Sequence, residues 1–172
     1  MNRKEIRMKN DFEEMLKLKS ESSIIDFQTT GSPPHSYLLT FRCAGIRLDE
    51  HAKPVEIHEH HCQIRLGAHY PSQPPDVTWL SPIFHPNIKL QAVCHSGQWA
   101  PSWSLAEFVS ELADMARYAK YNLQSVLDTK AADWAKHNLQ IFPLDPRPIR
   151  DKAGKITITV RPNVDGTRQR KQ

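Results

Sequence analysis

Between residues 23 and 80 the chain strings together four β-prone runs, SIIDFQTT, HSYLLTFRCAGIRL, VEIHEHHCQIRL and DVTWL, with GSPP, DEHAKP and the proline-rich YPSQPP in the breaks. The runs are rich in β-branched and aromatic residues, the breaks in turn formers. Parallel pairing needs a crossover of a dozen or more residues, and no helix-forming stretch lies between these runs. They are therefore predicted to pair as a four-stranded antiparallel meander.

Helices flank this block. Residues 3 to about 20 read as an amphipathic helix, with Met8, Phe12, Met15 and Leu16 at helical spacing and Arg3, Lys4, Arg7 and Lys9 on the other face. Downstream, SLAEFVSELADMARYAKY opens on Ser104 with Glu107 three residues later, a capping-box signature. Its apolar stripe is Leu105, Phe108, Val109, Leu112, Met115, Ala116 and Ala119. A second helical stretch, LDTKAADWAKHN, carries Ala131, Ala132, Trp134 and Ala135 at its apolar positions. The predicted fold class is α+β: an N-terminal helix, the meander, a loop, a central helix and a C-terminal helix. From Leu139 onward the chain is rich in proline and charge, with one strand-like alternation, KITITV, after an Ala-Gly turn signal.

At 172 residues the chain suits one domain with a substantial core, plus a tail. No run of 18 apolar residues exists, and the N-terminus MNRKEIRMKNDFEE carries charges where a secretion signal needs an apolar stretch, so no membrane association is expected. Three cysteines, Cys43, Cys62 and Cys94, form no even set and no CxxC pair, which fits a reducing, cytoplasmic setting and leaves a thiol for chemistry. A net charge of +4, part of it from the terminal RQRKQ, is too mild to imply nucleic acid, and most aromatics fall at strand or helix core positions.

The stretch HPNIKLQAVCHSGQWAP, residues 85 to 101, carries the candidate chemistry. Cys94 follows a rigid His-Pro-Asn turn and is itself followed by His95, Ser96, Gly97 and Gln98, a polar setting that suits access. Taken alone, a free cysteine is more often a small buried hydrophobe. The run HEHHC, residues 58 to 62, places His58, His60 and Cys62 on one face if it is a single strand. It is not HExxH, which needs a helix and a second histidine where Cys62 stands. With Ile64 and Leu66 continuing that face, core and rim residues are the simpler reading, and no metal is expected.

The order of helix, meander, YPSQPPDVTWL, HPNI, cysteine, WAPSWSL and long helix resembles the ubiquitin-conjugating enzyme family over residues 1 to about 138. The resemblance implies a ubiquitin-conjugating-enzyme-like domain at 1–140, and the proline- and charge-rich remainder, 141–172, reads as an extension with a short hairpin. The resemblance also implies an enzyme in which Cys94 holds a modifier as a thioester and Asn87 aids transfer to an amine, with His85 and Pro86 shaping the turn and His85 a candidate for catalytic support. Asn87 alternatively braces the loop through a backbone hydrogen bond. His95 would support catalysis by tuning the thiol or taking a proton from the incoming lysine, although a solvated loop histidine is the plainer reading. Arg3, Lys4 and Arg7 resemble the basic face that meets the activating enzyme. Ser72, Gln73, Pro101 and Ser102 occupy the loops by which the family meets ligases and other partners. The implied partners are an activating enzyme, a ubiquitin-like modifier and a target protein, with no cofactor. The chain departs from the family pattern where His95 follows the cysteine directly and Trp99 comes only five positions later. That shortening, with a compressed link between the last two helices, is similar to compact bacterial members found in anti-phage operons. It also admits an inactive variant that only holds a modifier or assembly partner.

Overall fold

A computed structural model describes residues 1–95, 97 and 99–154; the KITITV stretch and the hairpin expected there lie outside the described residues. Helix α1 (Arg3–Glu21) leads into strands β1 (Ile25–Gly31), β2 (Pro34–Phe41), β3 (Gly45–Leu48), β4 (Pro54–Ile57), β5 (His60–Arg65) and β6 (Asp76–Trp79). A small hairpin of β7 (Ile88–Lys89) and β8 (Ala92–Val93) follows, then α2 (Leu105–Ala116) and α3 (Thr129–Lys136). The main sheet is antiparallel in the order β1-β2-β5-β6. Phe27, Leu39, Cys62 and Trp79 lie opposite one another across it and form one buried row.

The meander is present, but its second and third runs each break in two, and the middle pieces, β3 and β4, pair separately. Gly45 opens β3 where the chain passes tightly against its neighbours. A Cβ there would lie 2.4 Å from the His60 ring and 2.7 Å from the Ala116 carbonyl, so the chain can pass only as glycine. In the third run, β4 ends at Ile57 and β5 begins at His60. The single strand that would align His58, His60 and Cys62 therefore does not form. His58 is exposed and contacts Glu56, whereas His60 and Cys62 are fully enclosed in the core.

In α1 the buried positions are Met8, Asp11, Met15 and Leu18, and Leu16, expected in the stripe, is 47% exposed. The sequence pattern misplaces the stripe because a carboxylate stands in the middle of it. Asp11 accepts from Leu105 N at the start of α2, from Tyr70 Oη and from Arg7 Nε. It thus pairs a negative charge with the N-terminal end of α2 while joining three parts of the chain. The Ser104 and Glu107 capping box forms as expected.

Helix α2 stops at Ala116, earlier than its apolar stripe suggests, and Ala119 is exposed. Tyr118 takes a left-handed conformation, φ 58°, without a glycine to announce it. Its ring stacks on Phe142 at 4.4 Å and its hydroxyl donates to the Phe84 carbonyl at 2.6 Å, contacts that hold the strained backbone. The charged segment beyond Phe142 packs on the same body. Arg117 donates to the carbonyls of Asp145 and Arg147, Arg147 reaches Ser23 and the Arg42 carbonyl, and Ser23 donates to Asp151.

The β7–β8 hairpin carries a second strained residue. Leu90 has φ 55° and is 86% exposed, so it contributes strain without burial. Leu90→Asn is expected to raise unfolding stability by about 1 kcal/mol, because asparagine tolerates this conformation. Urea unfolding of both proteins checks this, and an unchanged or lower midpoint would contradict the strain argument.

Candidate functional site

His85-Pro86-Asn87 lies between the main sheet and the β7–β8 hairpin, and its interactions set the geometry around Cys94. The His85 ring is fully buried, packs on Tyr118 at 4.7 Å and accepts the Asn87 N–H at Nδ1, 3.0 Å. The Pro86 carbonyl takes the N–H groups of Leu127 and Asp128, just ahead of α3. Asn87 is 1% exposed, and its backbone carbonyl accepts the Cys94 N–H at 2.8 Å. The turn thus fixes the cysteine through its own backbone.

The Asn87 side chain does something else. Its Nδ2 donates to the carbonyls of Asn122 and Ser125 at 2.8 and 2.7 Å, and its Oδ1 accepts the Asn122 N–H at 2.8 Å. Both amide hydrogens and the oxygen are engaged in holding the loop at 122–125. That loop carries Ser125, whose hydroxyl lies 3.5 Å from Cys94 Sγ. Ser125 and Asn122 are site residues that the sequence does not reveal. The only hint is a Ser/Asn-bearing break between two helices, and those residue types are common in any turn.

Of the three cysteines only Cys94 reaches the surface. Burial raises the Cys43 thiol to about 12 and pushes Cys62 up as well, so neither is a ready nucleophile. Cys94 stands at the mouth of a cleft of about 440 Å³ whose floor includes Phe108, Leu112 and Met115 of α2. His95 lines the same cleft, its ring edge-on to Phe108 at 5.3 Å. Half-burial lowers its pKa, so it is neutral at pH 7 and packed on the helix rather than solvated.

The other candidates separate into two groups. Pro101, Ser102, Ser72 and Gln73 are exposed, and Trp99 joins their two loops by donating from Nε1 to the Pro71 carbonyl at 2.9 Å. Trp99 also packs on Tyr70 and Phe108. On α1, Arg3 is exposed, but Arg7 turns inward and donates to the carbonyls of Pro101 and Trp103 as well as to Asp11. Lys4 is half-buried, with Nζ 2.7 Å from the Gly67 carbonyl. Arg7 is thus a brace between α1 and the tryptophan loop, because the buried Asp11 beside it draws the guanidinium inward.

Two buried histidines make this region acid-sensitive. Burial lowers His60, beside the Cys43 carbonyl, to about 4 and His85 to about 3. An unfolded imidazole titrates near 6.5, so below that pH the unfolded chain binds more protons. Stability is complete above pH 6.5 and falls as pH drops from there toward 4 and 3. Each histidine is expected to cost about 2 kcal/mol at pH 5. Asp26, Asp145 and Asp151 are held below 3.8, chiefly by Lys19, Arg147 and Ser23 respectively, so their loss comes at lower pH. Urea unfolding at pH 7.5 and 5.0 reads the histidine window directly; equal midpoints would refute it.

Comparison with known proteins places this arrangement. No curated protein matches the sequence. Solved structures do: S. cerevisiae Ubc12 aligns with a TM-score of 0.60 at 21% identity, covering 79% of this chain and 72% of that one. The E2 domain of a Toxoplasma gondii ubiquitin conjugating enzyme aligns with a TM-score of 0.54 at 19% identity, covering 78% and 90%. At such identities these likenesses establish the fold. The family model described as ubiquitin-conjugating enzyme matches residues 7–144, which include the His-Pro-Asn turn, Cys94, the tryptophan loop and both later helices. With most of its length inside that match, the chain belongs to the ubiquitin-conjugating enzyme family.

Proposed function

We propose that this protein accepts a ubiquitin-like modifier from an activating enzyme as a thioester on Cys94 and transfers it to an amine of a target protein. The observation that carries this reading is the placement of Cys94. It is the one cysteine at the surface, its backbone is held by Asn87 and its sulfur lies beside Ser125 at the mouth of a cleft.

In the first step the Cys94 thiolate attacks the carbonyl carbon of the donor thioester. A new C–S bond forms, the donor thiolate leaves, and that thiolate takes up a proton from solvent. In the second step an amine attacks the Cys94 thioester, a C–N bond forms, the amine gives up a proton and the Cys94 thiolate departs. His95, neutral and at the cleft, is a suitable acceptor for that proton. Asn87 serves first by holding the loop that carries Ser125. Its amide can stabilise the tetrahedral oxygen only by releasing one of the two carbonyls it now binds.

Arg3, with the exposed Ser72, Gln73, Pro101 and Ser102, remains available to protein partners. Among the described residues no helix is long and apolar enough to cross a membrane, and two buried free thiols suit the cytoplasm. The short segment after Cys94 and the compressed link after α2 support a place among compact bacterial members, in anti-phage defence. The same shortening supports a second reading, an inactive relative that holds a modifier without chemistry.

Incubation with a ubiquitin-like modifier, its activating enzyme and ATP, followed by a non-reducing gel, tests the choice. A thiol-sensitive adduct is expected. A modifier complex that is isolated without any covalent adduct would replace the enzyme reading with the binding one.

A further inference from the structure

Strand β1 is an edge of the main sheet: among the described residues β2 pairs along one side of it and no strand lies along the other. The Arg42 N–H donates to the Ile24 carbonyl at 2.7 Å, so in this antiparallel pair Ile24, Asp26 and Gln28 bond toward β2. The backbone groups of Ile25, Phe27 and Thr29 therefore face outward. Side chains hold the first of them: Ser22 Oγ accepts the Ile25 N–H at 3.2 Å, Asp26 Oδ1 accepts the Phe27 N–H at 2.8 Å, and Lys19 Nζ stands 3.5 Å from the Phe27 carbonyl. Among the described residues no side chain caps Thr29 in this way. Beside the same edge Phe12 and Lys19 of α1 both lie on the Phe27 ring, and Leu16, between them on that flank, is 47% exposed.

The chain leads to this edge. Its last described segment crosses the start of the sheet from β2 to β1: Arg147 donates to the Arg42 carbonyl and to Ser23, Asp151 accepts the Ser23 N–H at 2.7 Å, and the Lys152 N–H donates to the Glu21 carbonyl at 2.9 Å. Continued, that path leaves the sheet on the outer side of β1. Gly154, with φ 77°, is suited to turn it there. The residues that follow, KITITV at 155–160, alternate polar and apolar and stop before Pro162. We infer that this segment is the occupant of the edge: it pairs with β1 from Phe27 onward as a fifth, parallel strand and lays Ile156, Ile158 and Val160 against Leu16 and Phe12.

Reach and direction select the parallel strand. Lys152 lies beside Glu21, ahead of β1, and the extended chain from Lys152 to Ile156 covers about 13 Å, as far as Ser23 lies from Phe27. An antiparallel strand would have to enter at Gly31, and the segment would be used up in reaching that end. Side chains alternate, so only the register that turns Ile156, Ile158 and Val160 toward α1 buries them, leaving Lys155, Thr157 and Thr159 in water. The strand takes the Phe27 carbonyl from Lys19, which keeps its ion pair with Asp26. It closes a sheet edge that could otherwise pair with another chain, and it covers one flank of α1 while leaving the opposite side, with the exposed Arg3, to protein partners. None of this depends on the chemistry of Cys94.

Hydrogen exchange of the Thr29 amide, followed by NMR on the full chain, tests the docking. That N–H is expected to exchange about tenfold faster or more in Thr157→Pro, which breaks the strand at its middle, than in the unaltered protein. The double variant Ile156→Asp, Ile158→Asp is expected to behave alike, and Thr159→Lys, on the watery face, to leave the protection unchanged. Amides of β2 that bond to β1 serve as the internal control for folding. A Thr29 amide as fast in the unaltered protein as in a short peptide overturns the docking, and so does one equally slow in all the variants. Protection that rises with protein concentration, together with a dimer in light scattering, seats the segment on a second copy and overturns the intramolecular strand.

Discussion

Cys94→Ala is expected to abolish every thiol-sensitive adduct, while Cys43→Ala and Cys62→Ala retain it. The difference lies in where the three thiols sit. Cys62 is enclosed between Leu39 and Trp79 in the middle of the sheet, and Cys43 is 2% exposed. With its thiol pushed up to about 12 by burial, Cys43 holds only about one thiolate in 10⁵ at pH 7, before access is considered. Brief treatment of the native protein with iodoacetamide is accordingly expected to alkylate Cys94 alone, as read by peptide mass. Cys94→Ser should convert the adduct to an oxyester that survives thiol reagents, since an alkoxide leaves less readily than a thiolate. An adduct that persists in Cys94→Ala and disappears in Cys62→Ala would move the site into the sheet and sink the assignment.

The second large effect is expected at Asn87. Removing its amide takes the present partner from the carbonyls of Asn122 and Ser125 and from the N–H of Asn122, part-buried bonds made by a residue that is itself only 1% exposed. Asn87→Ala should therefore cost about 3 kcal/mol of stability. Thioester loading and discharge to lysine should fall together, because the loop that sets Ser125 beside the sulfur is no longer held. Asn87→Asp should be at least as damaging, since a carboxylate oxygen would face two carbonyls where the amide donated to both. Melting temperature, loading and discharge measured on one preparation distinguish this from a purely chemical role. An Asn87→Ala protein with normal melting and loading, slowed about 10²-fold in discharge alone, would show the amide acting on the oxyanion instead.

These two residues also mark the division between what linear order and tertiary structure contribute. The four β-prone runs with short breaks allowed little besides an antiparallel meander, and Ser104 with Glu107 announced the start of α2, because such signals are local: pairing distance, alternation and a cap three residues long. Cys94 stood out for the same reason, as a thiol in a polar loop after a His-Pro-Asn turn. The resemblance of that order to ubiquitin-conjugating enzymes added the expected roles.

What only tertiary structure decided depends on contacts between residues far apart in the chain. Arg7 looked like part of a basic outer face, yet Asp11, buried in the apolar stripe, turned it inward to the tryptophan loop about 95 residues away. The end of α2 carries no glycine signal, because Tyr118 is held in its left-handed turn by Phe142 and the Phe84 carbonyl. Ser125 reaches Cys94 across 31 positions only because Asn87 holds the intervening loop with three hydrogen bonds. Pattern in sequence shows which stretches become helix or strand, as it did for the meander and the start of α2. A side chain's hydrogen-bond partners, and hence whether a polar residue serves a site or supports the fold, are set by the distant groups that burial brings to it.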